Sequence, residues 1–335
     1  MTEPLWTPTP EQIETAKITE LRRAVTAQWQ VDLPDSTALW RFSVDEREKF
    51  WRTIIDFCDL KARTWGEQDS VDADKLPGAK WFPDARFNFA ENLLKRRDDG
   101  EALVFWGEDK ARRRMTFAEL YDAVSQLAQA LHAEGVESGD RVAGYLPNIP
   151  EAIIAMLATA SLGATWSSCS PDFGLQGVLD RFGQIEPKVL IASDGYFYNG
   201  KTHDIREKTA DLVSRVPSIQ RVVIVPYVWT EPDISGIRDA VELSDFVGNF
   251  TPTDIQFKQM PFNHPLYILY SSGTTGQPKC IVHEAGGMLL KHAVEQVAQF
   301  SIGPDSRVFW FTTLGWMMWN WLASNLAWGA TLLLY

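Results

Sequence analysis

Short apolar runs alternate with helix-length segments from Ala102 onward, and this alternation restricts the fold more than any other feature of the sequence. Thr116 and Glu119 form a capping box at the start of one helix-length segment. Repeated strand–helix–strand units form parallel sheets that helices cover on both faces. The sequence therefore predicts an α/β fold with doubly wound, parallel-type sheets. The predicted strands are residues 102–106, 140–146, 165–170, 188–192 and 221–225, and the predicted helices are residues 116–133, 150–162, 174–182 and 203–216.

The first hundred residues follow a different pattern, which is that of a helical leader. Thr9 and Gln12 form a capping box, and a proline occupies the first helical position between them. Apolar residues then recur at helical spacing. Ser43 with Glu46 predicts a second helix start in the same region.

The length of the chain predicts more than one structural unit. It has 335 residues, whereas single cores stop growing at about 250–300 residues. We expect a helical N-terminal leader over residues 1–100 and an α/β portion over residues 101–335. The last residues, 330–335, form an apolar predicted strand with no turn, cap or polar tail after it. Because such an edge would stay exposed, we expect the chain to be an N-terminal fragment with an incomplete α/β portion.

Residues 265–284 read PLYILYSSGTTGQPKCIVHE and carry the most chemical information in the chain. Two strand-like runs flank a turn of small and polar residues. Gly273 and Gly276 permit positive φ and a close approach of main-chain N–H groups to an anion. Hydroxyl donors and the charge of Lys279 complete a donor set suited to a polyphosphate. The predicted phosphate-binding residues are Ser271, Ser272, Gly273, Thr274, Thr275, Gly276, Gln277 and Lys279.

This turn differs from the P-loop of nucleoside triphosphatases, which needs glycine directly before the lysine and Ser or Thr after it. Here Pro278 precedes Lys279 and Cys280 follows it. The turn also joins two strands, so the N-terminus of a helix does not form the anion site. The structural alternative is a hairpin turn without a ligand. The unbroken run of small or polar residues from Ser272 to Gln277 favours the phosphate-binding interpretation.

The sequence SSGTTGQPK resembles the phosphate-binding signature of the adenylate-forming enzymes, which include acyl-CoA synthetases, luciferases and peptide-synthetase adenylation domains. Family members usually have glycine after the lysine, and Cys280 departs from that pattern. Other segments extend the resemblance over the whole chain and place it in the short-chain acyl-CoA synthetase branch, closest to acetoacetate–CoA ligases. These segments are residues 81–93, 146–174, 181–196, 283–287 and 313–321.

The resemblance implies an ATP-dependent acid–thiol ligase. A carboxylate such as acetoacetate attacks the α-phosphorus of ATP and expels pyrophosphate, and the thiol of coenzyme A then displaces AMP from the acyl-adenylate. The implied cofactors are ATP, Mg²⁺ and coenzyme A. Gly315 and Trp316 align with the acyl pocket of the family. Lys201 aligns with a basic residue that contacts coenzyme A, although the neighbouring basic position is Tyr198 here.

No catalytic residue is identified in this chain, and no metal-ligating protein residue is predicted. By resemblance, the residues that hold adenine and ribose, and the lysine that drives adenylation, lie in a C-terminal part of family members. We therefore expect the 335 residues alone to be inactive. The alternatives left open are an acetyl- or propionyl-CoA synthetase and a non-catalytic nucleotide-binding protein.

The charge balance and the cysteines exclude several other classes. A formal net charge of −12 disfavours binding to nucleic acid and to anionic lipid, so small-molecule substrates are the predicted partners. Cys58, Cys169 and Cys280 lie far apart without a CxxC motif, which argues against a disulfide framework and a zinc site. The start of the chain lacks a basic region followed by an apolar run, which predicts a cytoplasmic protein. The sequence does not specify an oligomeric state.

Residues 308–335 contain no charged side chain and are long enough to cross a membrane. Polar residues and glycines nevertheless divide the stretch into a strand at 307–312, a helix at 316–328 and a strand at 330–335. Uncharged strands are expected where a parallel sheet is covered on both faces. A soluble protein is therefore predicted, with a membrane-associated module as the alternative.

Overall fold

A computed structural model describes residues 5–271 and 276–335 of the chain. In these ranges the polypeptide forms helices connected to two larger sheets and two small antiparallel pairs of strands. A π-helical segment, Ala293–Gln299, continues the eleventh helix, and a 3-10 turn, Asn325–Trp328, continues the twelfth. The helices are α1 (Pro10–Thr15), α2 (Lys17–Trp29), α3 (Ser36–Asp45), α4 (Arg47–Phe57), α5 (Phe89–Leu93), α6 (Phe117–Ala133), α7 (Pro150–Ser161), α8 (Leu175–Ile185), α9 (Arg206–Arg215), α10 (Leu243–Val247), α11 (Ala285–His292) and α12 (Met317–Ser324).

The strands follow the same chain order. They are β1 (Ser70–Val71), β2 (Lys80–Trp81), β3 (Glu101–Gly107), β4 (Ala111–Thr116), β5 (Arg141–Tyr145), β6 (Thr165–Cys169), β7 (Val189–Ser193), β8 (Gly195–Tyr198), β9 (Lys201–Asp204), β10 (Arg221–Val225), β11 (Ala240–Glu242), β12 (Pro265–Ser271), β13 (Lys279–Glu284), β14 (Arg307–Phe309) and β15 (Thr331–Leu334).

The main sheet has the strand order β11-β10-β7-β5-β6-β12-β13, and every pair except β12–β13 is parallel. Its central strands are buried on both faces. Val142 and Ile191 belong to a core shared with α6 and α7, whereas Ala143 and Leu190 belong to a second core shared with α8 and α9. Helices therefore cover both faces, which confirms the predicted α/β fold with a doubly covered parallel sheet.

A second sheet has the order β14-β15-β3-β4 and contains the predicted strands at both ends of the α/β portion. β15 lies between β14 and β3 and is parallel to both. β4 pairs with β3 in the antiparallel direction, and apolar patterning does not predict it, because its sequence is ARRRMT. A charged strand is stable there because β4 is an edge strand with its middle residues exposed to solvent.

Local capping explains where several helices begin. Both predicted capping boxes are present, at Thr9 before α1 and at Thr116 before α6. The predicted helix start at Ser43 is wrong. Asp35 starts α3 by accepting a hydrogen bond from the Ala38 N–H at 2.8 Å, and the Ser43 hydroxyl donates to the Trp40 carbonyl inside that helix. A serine hydroxyl that bonds back to its own helix cannot cap the next one.

The predicted helix at residues 203–216 begins later than expected, at Arg206. Residues before it form β9, which pairs with β8 in a small hairpin. His203 stacks on Tyr196 across this hairpin with ring centroids 4.7 Å apart. The cross-strand aromatic pair stabilises extended backbone where helical spacing alone predicts a helix.

The uncharged stretch at 308–335 has the predicted strand–helix–strand division, with shorter elements. β14 ends at Phe309, α12 with its 3-10 turn occupies the middle, and β15 ends at Leu334. No helix in the described residues has the length and apolarity that a membrane crossing requires.

The helical leader packs directly on the α/β portion. Leu21 of α2 and Ile54 of α4 are fully buried in the same core as residues of α7 and α11. Asn88 makes a polar connection at this junction, because its buried Nδ2 donates to the carbonyls of Ala160 at 3.0 Å and Lys258 at 2.8 Å. Its Oδ1 also accepts from the first turn of α5. The division into units at residue 100 stays a prediction.

Replacing Asn88 with alanine is expected to destabilise the protein strongly. The change removes the side-chain donor to the Ala160 and Lys258 carbonyls and the N-cap of α5, which together correspond to about 2–3 kcal/mol of unfolding free energy. Urea unfolding followed by circular dichroism measures this loss. Asn249→Ala, at an exposed turn, is the matched control and should change the unfolding free energy by less than about 0.5 kcal/mol. Equal stability of both variants would contradict the assigned role of Asn88.

Candidate functional site

The predicted phosphate-binding turn connects β12 to β13 at one edge of the main sheet. The two strands form an antiparallel hairpin in which Ser271 pairs with Lys279 and Tyr270 pairs with Cys280. β12 is also parallel to β6, so its carboxyl end lies at the edge where the parallel strands end. Ligands of open α/β sheets bind outside this edge. The predicted turn is therefore at a position suited to ligand binding.

The described residues of the turn have the exposure that ligand binding requires. Lys279 and Gln277 are exposed, and Ser271 is half-buried at the end of β12. Gly276 has φ of +128°, a backbone conformation that residues with a Cβ rarely adopt. The remaining predicted phosphate-binding residues, Ser272, Gly273, Thr274 and Thr275, lie outside the described residues.

Helix α8 supports the hairpin from one side. Gln184 donates from Nε2 to the carbonyl of Pro278 at 2.9 Å, and Pro278 is buried although its neighbours are exposed. One turn earlier, the guanidinium of Arg181 lies 5.5 Å from the ring centroid of Tyr270 and 4.7 Å from that of Phe173. The helix thus contacts both the end of β12 and the residue that precedes Lys279.

A hydroxyl pair fixes the end of β12 against β6. The Tyr270 hydroxyl lies 2.8 Å from Ser167 Oγ, which also donates to the Ile268 carbonyl at 2.9 Å. Burial raises the pKa of Tyr270, so its hydroxyl stays protonated at neutral pH. Tyr270 is therefore a neutral group at the end of β12, held by Ser167.

The predicted acyl-pocket residues lie beside the turn that follows β6. Ser168 donates to the carbonyl of Leu314 at 2.9 Å, which ties this segment to β6. A Cβ on Gly315 would lie 3.1 Å from the ring of Phe173, so glycine permits a close approach there. Trp316, the N-cap residue of α12, has 66% of its surface exposed. Phe173 thus lies between Gly315 and Arg181. Arg181 in turn contacts Tyr270 in the hairpin formed by β12 and β13, which we call the phosphate hairpin after its predicted role.

Buried polar contacts hold α12 in place. His292 at the end of α11 lies 2.7 Å from Ser324 Oγ through Nδ1, and both residues are buried. Burial lowers the pKa of His292 to about 3, so the imidazole is neutral at physiological pH. Trp319 donates from Nε1 to Asn148 Oδ1 at 2.9 Å. These contacts fix the helix that carries Trp316 at its N-terminus.

Lys201, the predicted coenzyme A ligand, lies in a different part of the fold. It is exposed on β9, where it pairs with Tyr198 of β8. The adjacent loop is held by Asp194, a buried carboxylate that accepts hydrogen bonds from the backbone N–H groups of Val228 and Trp229. Lys201 is thus a surface lysine on an anchored hairpin, separate from the sheet that carries Lys279.

Arg181, Phe173 and Tyr270 lie beside the candidate site, and the sequence analysis did not single them out. Arg181 looks like the polar face of an amphipathic helix, and Phe173 and Tyr270 look like ordinary core residues. A signal was available for Phe173, because it follows a predicted parallel strand at the edge where ligands bind. In the described residues, no group of three or more His, Cys, Asp or Glu side chains could hold a metal ion.

Comparisons with known proteins identify a family model and several similar sequences. A family model described as AMP-binding enzyme matches residues 89–335. The acetoacetyl-coenzyme A synthetase of Rhizobium meliloti (strain 1021) is 49% identical over 333 residues, which cover 99% of this chain and 51% of the relative. The acetoacetyl-CoA synthetase of Danio rerio is 41% identical over 336 residues, which cover 97% of this chain and 50% of the relative.

A solved structure extends the similarity to three dimensions. The acetoacetyl-CoA synthetase from Streptomyces lividans superposes with a TM-score of 0.93 at 42% sequence identity, and the match covers 100% of this chain and 51% of that one. The chain spans about half the length of the curated relatives that it matches.

The neutral, buried His292 predicts a pH dependence of stability. Its folded pKa of about 3 lies below the ordinary value of 6.5, so the unfolded state binds one more proton between these values. Stability from this group is complete above about pH 6.5 and is lost, by up to about 1.4 kcal/mol per pH unit, as the pH falls toward 3. His292→Gln should show a shallower loss of unfolding free energy between pH 7 and 5. Exposed His132→Gln is the control, and a wild-type slope in His292→Gln would contradict the assignment.

Proposed function

Since the chain belongs to the AMP-binding enzyme family, we propose that it forms part of an ATP-dependent acid–thiol ligase that joins acetoacetate to coenzyme A. The proposed reaction proceeds through an acyl-adenylate and releases AMP and pyrophosphate. The observation that carries the proposal is that β12 and β13, the strands flanking the SSGTTGQPK turn, lie at the carboxyl edge of a parallel sheet. The proposed location is the cytoplasm.

In this proposal the hairpin binds the β- and γ-phosphates of ATP. Ser271, Gly276, Gln277 and Lys279 are its described members, and Lys279 is an exposed cation. A carboxylate is a competent nucleophile, so the protein mainly aligns the reactants and neutralises the charge of the leaving pyrophosphate. Mg²⁺ bound to the phosphates would supply further positive charge.

The acyl group is proposed to lie against Gly315 and Trp316. Glycine at position 315 leaves space next to the Phe173 ring, and the largely exposed indole of Trp316 offers an apolar wall. The curated relatives named acetoacetyl-CoA synthetases favour acetoacetate as the acid. Acetate and propionate are the runner-up substrates. Lys201 is proposed to contact a phosphate of coenzyme A from the surface of β9.

The adenine and ribose contacts and the adenylating lysine are proposed to come from sequence outside these 335 residues. One fact supports this part of the proposal: the relatives are about twice as long as this chain. The 335-residue chain would then bind phosphates without completing the reaction.

Lys279→Ala is expected to weaken binding of Mg·ATP to the chain. Removing the ammonium group takes away a charge-assisted contact to phosphate, which corresponds to about tenfold in the dissociation constant. Isothermal titration calorimetry measures the change. Lys80→Ala, which removes an exposed lysine of β2, is the matched control and should bind like the wild type. Unchanged affinity in Lys279→Ala would remove the basis of the proposed function.

The isolated chain is expected to show no acetoacetate-dependent release of pyrophosphate and no exchange of labelled pyrophosphate into ATP, because the adenylating lysine is proposed to lie elsewhere. A polypeptide that contains this sequence and is active should prefer acetoacetate to acetate and propionate in kcat/KM. Robust turnover by the 335 residues would contradict the expected inactivity of the isolated chain. Preference for acetate or propionate would replace acetoacetate with the runner-up acid.

A further inference from the structure

We propose that Arg181 is a second cation of the polyphosphate site, contributed by α8 to the end of the hairpin that carries Lys279. The inference rests on the proposed function, since it names a further residue that binds the triphosphate of ATP. No residue of α8 belongs to the phosphate-binding signature. Three features of this guanidinium group support the proposal: its position, its contacts, and the packing of α8 that holds it in place.

Arg181 is held in place by aromatic rings and not by a carboxylate. Its guanidinium stacks on Phe173 at 4.7 Å and on Tyr270 at 5.5 Å, and Nη1 donates to the Gly177 carbonyl at 2.6 Å. In residues 5–271 and 276–335, no carboxylate forms an ion pair with it. Among the described residues, the Gly177 carbonyl is the acceptor recorded for one of its five N–H donors.

Arg206, another arginine that stacks on an aromatic ring, does form an ion pair with a carboxylate. Arg206 stacks on Trp229 at 4.4 Å and also forms a salt bridge to Asp204 at 2.6 Å. Its charge is neutralised by Asp204, whereas no carboxylate of the described residues forms an ion pair with the half-buried Arg181. A partly buried cation interacts more strongly with an arriving anion than a fully solvated one, because water screens it less.

Arg181 lies close to two of the predicted phosphate-binding residues. Tyr270 immediately precedes Ser271, and Ser271 pairs with Lys279. Because successive side chains of a strand point to opposite faces, Arg181 approaches the hairpin on the face of Tyr270, opposite to the side chains of Ser271 and Lys279. Gln184 holds the Pro278 carbonyl at 2.9 Å and so fixes α8 against the same end. Two cations thus flank the end of the hairpin from opposite faces.

The chemistry of a triphosphate fits two flanking cations. Its several negative charges exceed what Lys279 alone neutralises, and the planar fork of an arginine binds phosphate oxygens in pairs. In the proposed first step, a bond forms between the carboxylate oxygen and the α-phosphorus. The bond to the β-phosphate oxygen breaks, and its electron pair stays on pyrophosphate. A fixed guanidinium near the hairpin would stabilise that developing charge.

Inorganic tripolyphosphate is the direct probe, because it contains the proposed group without adenine or ribose. Isothermal titration calorimetry on the 335-residue chain should show about tenfold or more weaker binding to Arg181→Gln, the effect of losing a charge-assisted hydrogen bond. Arg181→Lys, which keeps the charge but loses the planar fork and its stacking, should bind more weakly than the wild type and more tightly than Arg181→Gln. Arg112→Gln removes an exposed arginine stacked on Trp106 at 4.8 Å and is the matched control, with unchanged binding.

A purely structural role of Arg181 predicts a different set of results. Loss of stacking would lower the melting temperature of Arg181→Gln without making the salt dependence of tripolyphosphate binding shallower. The proposal predicts the shallower salt dependence, since one cation fewer faces the anion. Binding and salt dependence that match the wild type would overturn it. Weakening confined to coenzyme A, with tripolyphosphate binding intact, would overturn it as well.

Failure of the inference is distinguishable from failure of the proposed function. If Lys279→Ala weakens tripolyphosphate binding and Arg181→Gln does not, the role of Arg181 is wrong and the phosphate hairpin stands. If the wild type does not bind tripolyphosphate, or binds it no better than Lys279→Ala, the proposed function falls and the inference falls with it.

Discussion

The parallel pairing of β12 with β6 brings the parts of the candidate site together. Tyr267 pairs with Trp166 and Ile268 pairs with Ser167, so the two strands end at the same edge of the sheet. The phosphate hairpin follows one strand and the turn containing Phe173 follows the other. Parallel strands need long crossover connections, which is why residues about a hundred positions apart meet here. Ser167 strengthens the pairing through its hydrogen bond to the Ile268 carbonyl.

The charges near this edge differ from those of the whole chain. The chain carries a formal net charge of −12, yet Lys279 and Arg181 both lie at the phosphate hairpin. Tyr270 and His292 titrate far from neutral pH because burial favours their uncharged forms. The buried polar groups therefore position helices and strands, while the two charged side chains at the end of the hairpin, Lys279 and Arg181, are cationic. A local positive site is compatible with an acidic surface, because salt screens distant charges over about 10 Å.

Elements with strong local signals were predicted well from the sequence. The capping boxes at Thr9 and Thr116 mark α1 and α6, since their hydrogen bonds join residues only three positions apart. The predicted strand at residues 221–225 is β10, a continuous apolar run. The helix start predicted at Ser43 is wrong because the Ser43 hydroxyl has a partner inside α3. Apolar patterning did not predict β4 because an exposed edge strand needs no apolar residues.

By itself, the sequence determined the α/β class, the family resemblance and the residues of the predicted phosphate-binding turn. These depend on local periodicity and on a contiguous motif, and both are readable without knowing which segments meet. Tertiary structure alone decided that Phe173 and Arg181 lie between Gly315, the predicted acyl-pocket residue, and Tyr270 of the hairpin. The physical reason is that contacts between distant segments depend on strand order and helix packing, which no local pattern of residues specifies.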